Sequence, residues 1–277
     1  MGSRSVDNHG IMRQWLAVLT CLLCLASLPV AAQSPSHTLA PTGTLRGVFL
    51  GSNPVQGRVD ARTGVASGPV PDLVQELARR LGVGFTIIPA ADAAAVIDAL
   101  THGAADIGFL AYDETRAREV DFGAPFIVMF NSYLVKAASP IASSADVDRA
   151  GVTVAAVKGQ TQELFVSRRL KNARVRVFET MPPQASLETL LTTGEVDAFA
   201  INRQRSLEAE TASGSKLRVL PDSFLEVDQC FVVEKGARAK LEAIERFMAD
   251  VRASAFIKSS IERAKLTGVD VASVRKR

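Results

Sequence analysis

The chain has 277 residues, a formal net charge of +3 and three cysteines, with 47% hydrophobic residues. That length suits one large domain or two lobes of ordinary size. So small a positive charge argues against a nucleic-acid partner, and beyond the N-terminal region no apolar run approaches membrane length.

Arg13 precedes an apolar stretch, residues 15–28, of signal-peptide length, and Val30-Ala31-Ala32 places small residues before Gln33. Residues 1–32 are therefore expected to be a cleaved signal peptide, and the mature protein to be periplasmic. The alternative is an uncleaved anchor, but residues 16–32 are short for a span, and Pro29 with the small residues after it favours cleavage. A lipid anchor fits less well, because Leu23 stands before Cys24 where a small residue is usual. The polar residues ahead of Met12 leave Met12 as an alternative start. Cleavage removes Arg4, Arg13 and Asp7, lowering the net charge by one, and leaves Cys230 as the sole cysteine, so no intramolecular disulfide can form.

In chain order, residues 45–50 read as the first strand, and 52–71, rich in Gly, Pro and Ser, as a long loop. Asp72 opens a helix in which Leu73, Leu77 and Leu81 recur at four-residue spacing and Gly82 ends the run. Residues 85–88 form a strand. Asp92 suits the N-cap of a helix carrying Val96, Ile97 and Leu100, stopped at Gly103, and 107–110 form the next strand. The pattern restarts with a strand at 152–157, a turn at 158–161, a helix to 170, a strand at 175–178, a helical stretch at 187–191 and a strand at 196–201. Strands at 217–220 and 230–233 follow. The tail from Ala237 is helical, with Leu241, Ile244, Phe247, Met248 and Val251 on one face as a core stripe.

Two stretches rhyme. Leu100-Thr-His-Gly103-Ala-Ala-Asp106 returns as Leu191-Thr-Thr-Gly194-Glu-Val-Asp197. Each reads as a helix end, a Gly stop and a strand opening at an Asp. The repeat points to two similar α/β lobes facing across a cleft. Strand–helix–strand alternation makes each sheet mainly parallel, with functional loops at the carboxyl ends of the strands.

Motifs for catalysis are missing from the chain. After cleavage only His37, in a leader expected to be disordered, and His102, at a helix end where it suits the dipole, remain. There is no Cys/His cluster, nucleophile elbow, phosphate loop or dinucleotide fingerprint. No metal and no cofactor is expected. Two features point to anion binding. Arg116 follows the strand at 107–110, and its planar fork can grip a carboxylate; Arg118 reads as a surface charge. Gly159-Gln160-Thr161 lies at a strand-to-helix turn, where free N–H groups and the Thr hydroxyl can hold an anion.

Arg116-Ala-Arg-Glu-Val-Asp121-Phe122-Gly-Ala-Pro125-Phe126 resembles the Arg-x-x-x-Val-Asp-Phe-x-x-Pro-Tyr signature of periplasmic solute-binding proteins of the polar amino acid class, solute-binding family 3. The rhyming segments occupy the family's places in both lobes, and Val157-Lys158-Gly159-Gln160-Thr161 is similar to its Gln-Gly-Thr-Thr turn. The resemblance runs from Leu45 to about Ile261. It implies a two-lobed α/β Venus-flytrap: residues 33–126 plus 228–277 as lobe one, 127–227 as lobe two, with hinge crossings near 128–131 and 227–229. It implies a non-catalytic, monomeric binding component of an ABC importer, closing on its solute before the membrane subunits recognise it. Arg116 would bind an α-carboxylate and Thr161 would help from the second lobe. Ala111, Phe109, Tyr112, Gly159, Gln160 and Asn202 complete the expected ligand-binding set.

The departures from the pattern carry information. The family's usual acidic partner for an α-ammonium falls at Asn202, and its aromatic shelf reads Asn53-Pro54-Val55-Gln56. A common Ser or Thr is replaced by Ala111. An ammonium closed in without a carboxylate costs several kcal/mol. The expectation is a small carboxylate solute without a standard α-ammonium. The alternative is an ordinary amino acid held by Asp113 or Glu114. Two other functions stand open: a cyclohexadienyl dehydratase-like enzyme using Asp113, Glu114 or Glu163 as acid, and a solute sensor for a membrane kinase.

Overall fold

In the computed structural model, residues 1–2 and 35–273 are described; the expected signal peptide lies outside them. The described chain begins with a short helix, α1 (Pro35–Leu39), whose Leu39 is buried, so His37 sits in a helix and not in a structureless leader. It continues with β1 (Thr44–Leu50), a small hairpin of β2 (Arg58–Val59) and β3 (Ala66–Ser67), α2 (Pro69–Leu81), β4 (Gly84–Ala90), α3 (Ala93–Thr101) and β5 (Ile107–Ala111). A long strand β6 (Val120–Lys136) leads to β7 (Thr153–Val157), α4 (Thr161–Arg169), β8 (Arg174–Phe178), α5 (Gln184–Thr192) and β9 (Ala198–Asn202). Then come α6 (Arg203–Ala212), β10 (Leu217–Val219), β11 (Leu225–Glu234), α7 (Arg238–Ala253), α8 (Phe256–Arg263) and β12 (Val269–Val271).

The helix ends follow from local chemistry. Asp92 caps α3 by accepting from the Ala95 N–H at 2.8 Å. Gly82 ends α2 in the left-handed conformation, φ 68°, which an L side chain resists. Gly103 and Gly194 adopt the same conformation, φ 68° and 78°, after the two rhyming helices. Helix α2 starts three residues before Asp72: Pro69 and Pro71 supply helical φ where an N–H has no intrahelical partner anyway. Val70, Leu73, Val74 and Leu77 are all buried on one face. Removing such a side chain from water stabilises the fold by about 1.5–3 kcal/mol.

One ten-stranded sheet runs β4-β1-β5-β11-β6-β9-β7-β8, with β10 and β12 paired onto β6. Its two ends are parallel, β1 with β4 and β5, and β7 with β8 and β9. Between them the long strands β6 and β11 pair antiparallel, with Val227 opposite Met129, Asp228 opposite Val128 and Gln229 opposite Ile127. The pleat sends alternate residues to opposite faces. On β1, Leu45 and Phe49 enter one core and Val48 another. On β7, Ala155 and Val157 enter one core, Val154 and Ala156 the other. Each half of the sheet thus has two cores, one per face. Those of the β1 half draw on residues up to Met129 and from Leu225 onward, and those of the β7 half on Tyr133 to Phe224. This is the two-lobed periplasmic-binding-protein fold.

The loop expected at 52–71 contains the β2–β3 hairpin. The tail breaks at Ser254-Ala255 into α7 and α8 and ends in β12. No helix of the described residues is long and apolar enough to cross a membrane.

Candidate functional site

The carboxyl ends of β1, β5, β7 and β9 converge on a cavity of about 750 Å³. Arg116 stands in its wall with a relative exposure of only 6%. A 3-10 turn at Arg116–Arg118 places it just past β5. The turn is fixed by Asp113, which accepts from the Thr115 N–H at 2.8 Å and from the Thr115 hydroxyl, and whose carbonyl accepts from Ala117. The guanidinium reaches across the cavity: Nη1 donates to the Ala111 carbonyl at 2.9 Å and to Thr161 Oγ1 at 3.5 Å, and Nη2 donates to the Gly159 carbonyl at 2.8 Å. Burial lowers the Arg116 pKa and the Asp113 charge raises it again, with a net lowering; a guanidinium stays charged regardless. Burial likewise pushes Asp113 up, but the Thr115 hydrogen bonds and the Arg168 and Arg116 charges bring it below its ordinary value.

The second wall is the β7–α4 turn. Gly159, at φ 67°, makes the sharp bend. The expectation of free N–H groups at this turn needs a correction. Gly159 N–H donates to the Glu163 carboxylate at 3.2 Å, and Gln160 N–H to the Val157 carbonyl at 3.1 Å. The donors left without an intrahelical partner are those of the first turn of α4, from Thr161 onward. Thr161 is itself buried.

Asn202 lines the cavity and caps α6, its Oδ1 accepting from the Arg205 N–H at 2.9 Å. With the oxygen held by the backbone, the NH2 is the end of the amide left to donate. Ala111 also lines the cavity. Phe109, two residues deeper on the same face of β5, does not: it is fully buried against Phe126 and Phe231 and belongs to the core. Tyr112 points to the other face, edge-on to Phe122, in a separate cleft of about 370 Å³. Asp113 and Glu114 line that second cleft. Glu163, bonded to Gly159 and Ser167, is not among the residues lining either. The acids put forward for an ammonium or a proton donor are therefore not in the wall of the main cavity.

Several lining residues lie outside the expected ligand-binding set. Gln56 accepts from Leu50 N–H at 2.9 Å and donates to Gln229 at 2.8 Å, and Gln162 donates to Asn131 at 2.6 Å. Gln56 and Gln162 line the cavity with Met129, and their partners Gln229 and Asn131 are buried with them. Arg205, on the first turn of α6, donates from Nη1 to the Ser52 carbonyl at 3.0 Å. The acids that do line the cavity sit at its rim. Asp92 is exposed and occupied in capping α3, and Glu179 is exposed and paired with Lys158 at 2.9 Å. Below that rim the charged side chains are arginines.

The sequence matches bacterial extracellular solute-binding proteins, family 3, over residues 49–264. No curated protein matches the chain. Among solved structures, a putative ABC-transporter binding component from Wolinella succinogenes in complex with lysine is 23% identical, with a TM-score of 0.70, covering 80% of this chain and 95% of that one. An amino acid ABC transporter substrate-binding protein from Streptococcus pneumoniae bound to L-arginine is 20% identical, with a TM-score of 0.68, covering 82% and 97%. An ancestral amino-acid-binding protein described as a precursor of cyclohexadienyl dehydratase is 24% identical, with a TM-score of 0.66, covering 80% and 94%. At these identities the likeness speaks for the fold, and the family match spans most of the chain: the protein belongs to the bacterial extracellular solute-binding proteins, family 3.

Proposed function

We propose that this protein is the extracytoplasmic solute-binding component of an ABC importer, capturing a small carboxylate-bearing solute that lacks an α-ammonium group. The supporting observation is the charge arrangement of the cavity. A buried guanidinium, Arg116, stands in the wall, while the lining acids are confined to the exposed rim. A carboxylate closed against Arg116 gains charge-assisted hydrogen bonds. An ammonium closed in the same place would meet neutral amides and the NH2 of Asn202.

Residues 33–126 with 228–277 form one lobe in this reading, and 127–227 the other. The paired segments 128–131 and 227–229 act as the hinge, and Arg116, Gly159 and Thr161 meet when the lobes close. The mature protein is a periplasmic monomer released by cleavage after residue 32, and it performs no chemistry on its solute.

The test is a thermal-shift screen of the full mature chain, refolded to strip carried-over solute, against amino acids and their deaminated keto and hydroxy acids. A ligand at a hundredfold its Kd adds about 2.7 kcal/mol, a shift of roughly 5–10 °C for a chain of this size. Shifts with the deaminated acids, lost in Arg116→Ala, support the reading. Shifts with amino acids alone overturn the ligand class while leaving a binding protein.

A further inference from the structure

The cavity carries a second arginine that the carboxylate reading does not use. Arg205 lies on the first turn of α6, three residues after Asn202, and is half-buried. Its bond to Ser52 tethers the head to the opposite wall but engages one of the five N–H donors that a guanidinium carries. The acid with the strongest pull on it, Glu208, is shared: its Oε1 pairs with Arg58 and accepts from Gln204 at 2.7 Å. Burial lowers the Arg205 pKa, Glu208 raises it and Arg58 lowers it further, so the cation sits where its charge is poorly compensated. Arg116 is in a similar position, since its nearest acid in effect, Asp113, is engaged by Thr115 and Arg168.

Two guanidiniums that line one cavity and lack close acid partners repel each other, and each carries a desolvation cost. A monocarboxylate relieves one of them. We propose that Arg205 holds a second carboxylate, so that the cavity takes a dicarboxylate bridging Arg116 at one end and Arg205 at the other. Asn202, which lines the cavity with its Oδ1 held by the Arg205 N–H, adds an NH2 donor suited to the same anion. The proposal rests on the carboxylate reading above and narrows its substrate class.

The experiment is calorimetric titration of the refolded mature chain with succinate and glutarate, with the matched monocarboxylates butyrate and valerate, and with inorganic phosphate. The expected result is a dicarboxylate preference of about tenfold or more, the size of one charge-assisted hydrogen-bond set. Arg205→Gln brings the dicarboxylate-to-monocarboxylate ratio to within about threefold of unity. Arg205→Lys, which keeps the charge, retains more of the preference than Arg205→Gln does. Arg176→Gln, an exposed arginine on β8 outside the cavity, keeps the wild-type ratio and controls for net charge.

Equal affinity for the matched acids in the wild type overturns the proposal and leaves the carboxylate reading standing. A preference that survives Arg205→Gln does the same. Phosphate binding as tightly as the dicarboxylates overturns the assignment of two carboxylates. Binding of none of the acids overturns both readings together.

Discussion

Asp106 and Asp197 perform one task in the two halves of the sheet. Asp106 accepts from the Arg46 backbone N–H at 2.9 Å, at the start of β1, and its own N–H returns to the Arg46 carbonyl at 2.9 Å. Asp197 accepts from the Thr153 N–H at 2.8 Å, at the start of β7, and its N–H returns to the Thr153 carbonyl at 2.9 Å. Each carboxylate fastens the strand after a left-handed glycine to the first strand of its own half.

The two aspartates differ in what else they hold. Asp106 also takes the Arg46 guanidinium at 2.7 and 3.0 Å, with its side chain 2% exposed. Asp106→Ala is expected to cost about 2–4 kcal/mol, because it strands a half-buried guanidinium as well as a backbone donor. Asp197→Ala, losing a single backbone bond, costs about 1–2 kcal/mol. Urea unfolding of the two variants checks the order, and a larger loss at Asp197 would contradict it.

These junctions were legible because their chemistry is local: a helix end, a glycine that alone tolerates φ near 70°, and an Asp at a fixed offset. The same holds for the Asp92 cap and the bend at Gly159. Phe109 was misplaced for a physical reason. All five residues of β5 are buried, so alternation cannot say how far along the strand the cavity opens. It opens at Ala111 and not at Phe109. Helix α6 was not recognised, because its sequence, RQRSLEAETA, lacks an apolar stripe. With the helix unseen, Arg205 had no position, and its approach to Ser52 depends on strand pairings that are distant in sequence. The buried amide pair joins Gln56 to Gln229, which no local pattern connects.

Arg116 is expected to be the residue most costly to lose for binding. Arg116→Ala should weaken carboxylate affinity by about a hundredfold, since it removes a buried charge-assisted pair. Arg116→Lys should fall between it and the wild type. A lysine keeps the charge but cannot reach the Ala111 and Gly159 carbonyls and a ligand with one planar fork. Titration of both variants with the tightest acid found reads the order. Equal losses in the two would show that fork geometry, and not charge, dominates.

A source of stability that acid removes lies on the outer face of α2. Glu76 accepts from Arg79 at 2.8 Å and from Arg80 at 2.7 Å, and Arg80 also reaches Asp250 at 3.0 Å. The Arg79 hydrogen bond, opposed by burial and helped by Arg80, lowers the Glu76 carboxyl from 4.5 to about 2. A carboxyl depressed on folding contributes its stability above its unfolded value and loses it as pH falls from about 4.5 towards 2. Arg79 is 69% exposed, so water screens the pair and its contribution is about 1 kcal/mol. Between pH 5 and pH 3 the wild type should lose part of that increment relative to Glu76→Gln, the rest going as pH falls through about 2, by urea unfolding at each pH. Parallel losses in the two proteins would remove Glu76 from the account.

In the proposed reading Asn202 selects the head group the cavity accepts, and its capping role allows that to be tested without disturbing the fold. Its Oδ1 caps α6, and aspartate caps a helix as well as asparagine does. Asn202→Asp should therefore leave unfolding stability within about 0.5 kcal/mol of the wild type. It introduces a carboxylate into a wall whose buried charges are Arg116 and, partly, Arg205. One oxygen faces the Arg205 backbone N–H, and the other replaces a donor with a charged acceptor. An α-ammonium entering with its carboxylate on Arg116 then finds a partner, while a deaminated acid meets a like charge. Amino acid affinity should rise by about tenfold or more and the deaminated acid should lose a similar factor, each near the 1.4 kcal/mol of one charge-assisted contact. Paired titrations at pH 7 measure both. A variant that gains no amino acid affinity would mean that position 202 does not face the ligand's α-carbon, and the ammonium argument would fall with it.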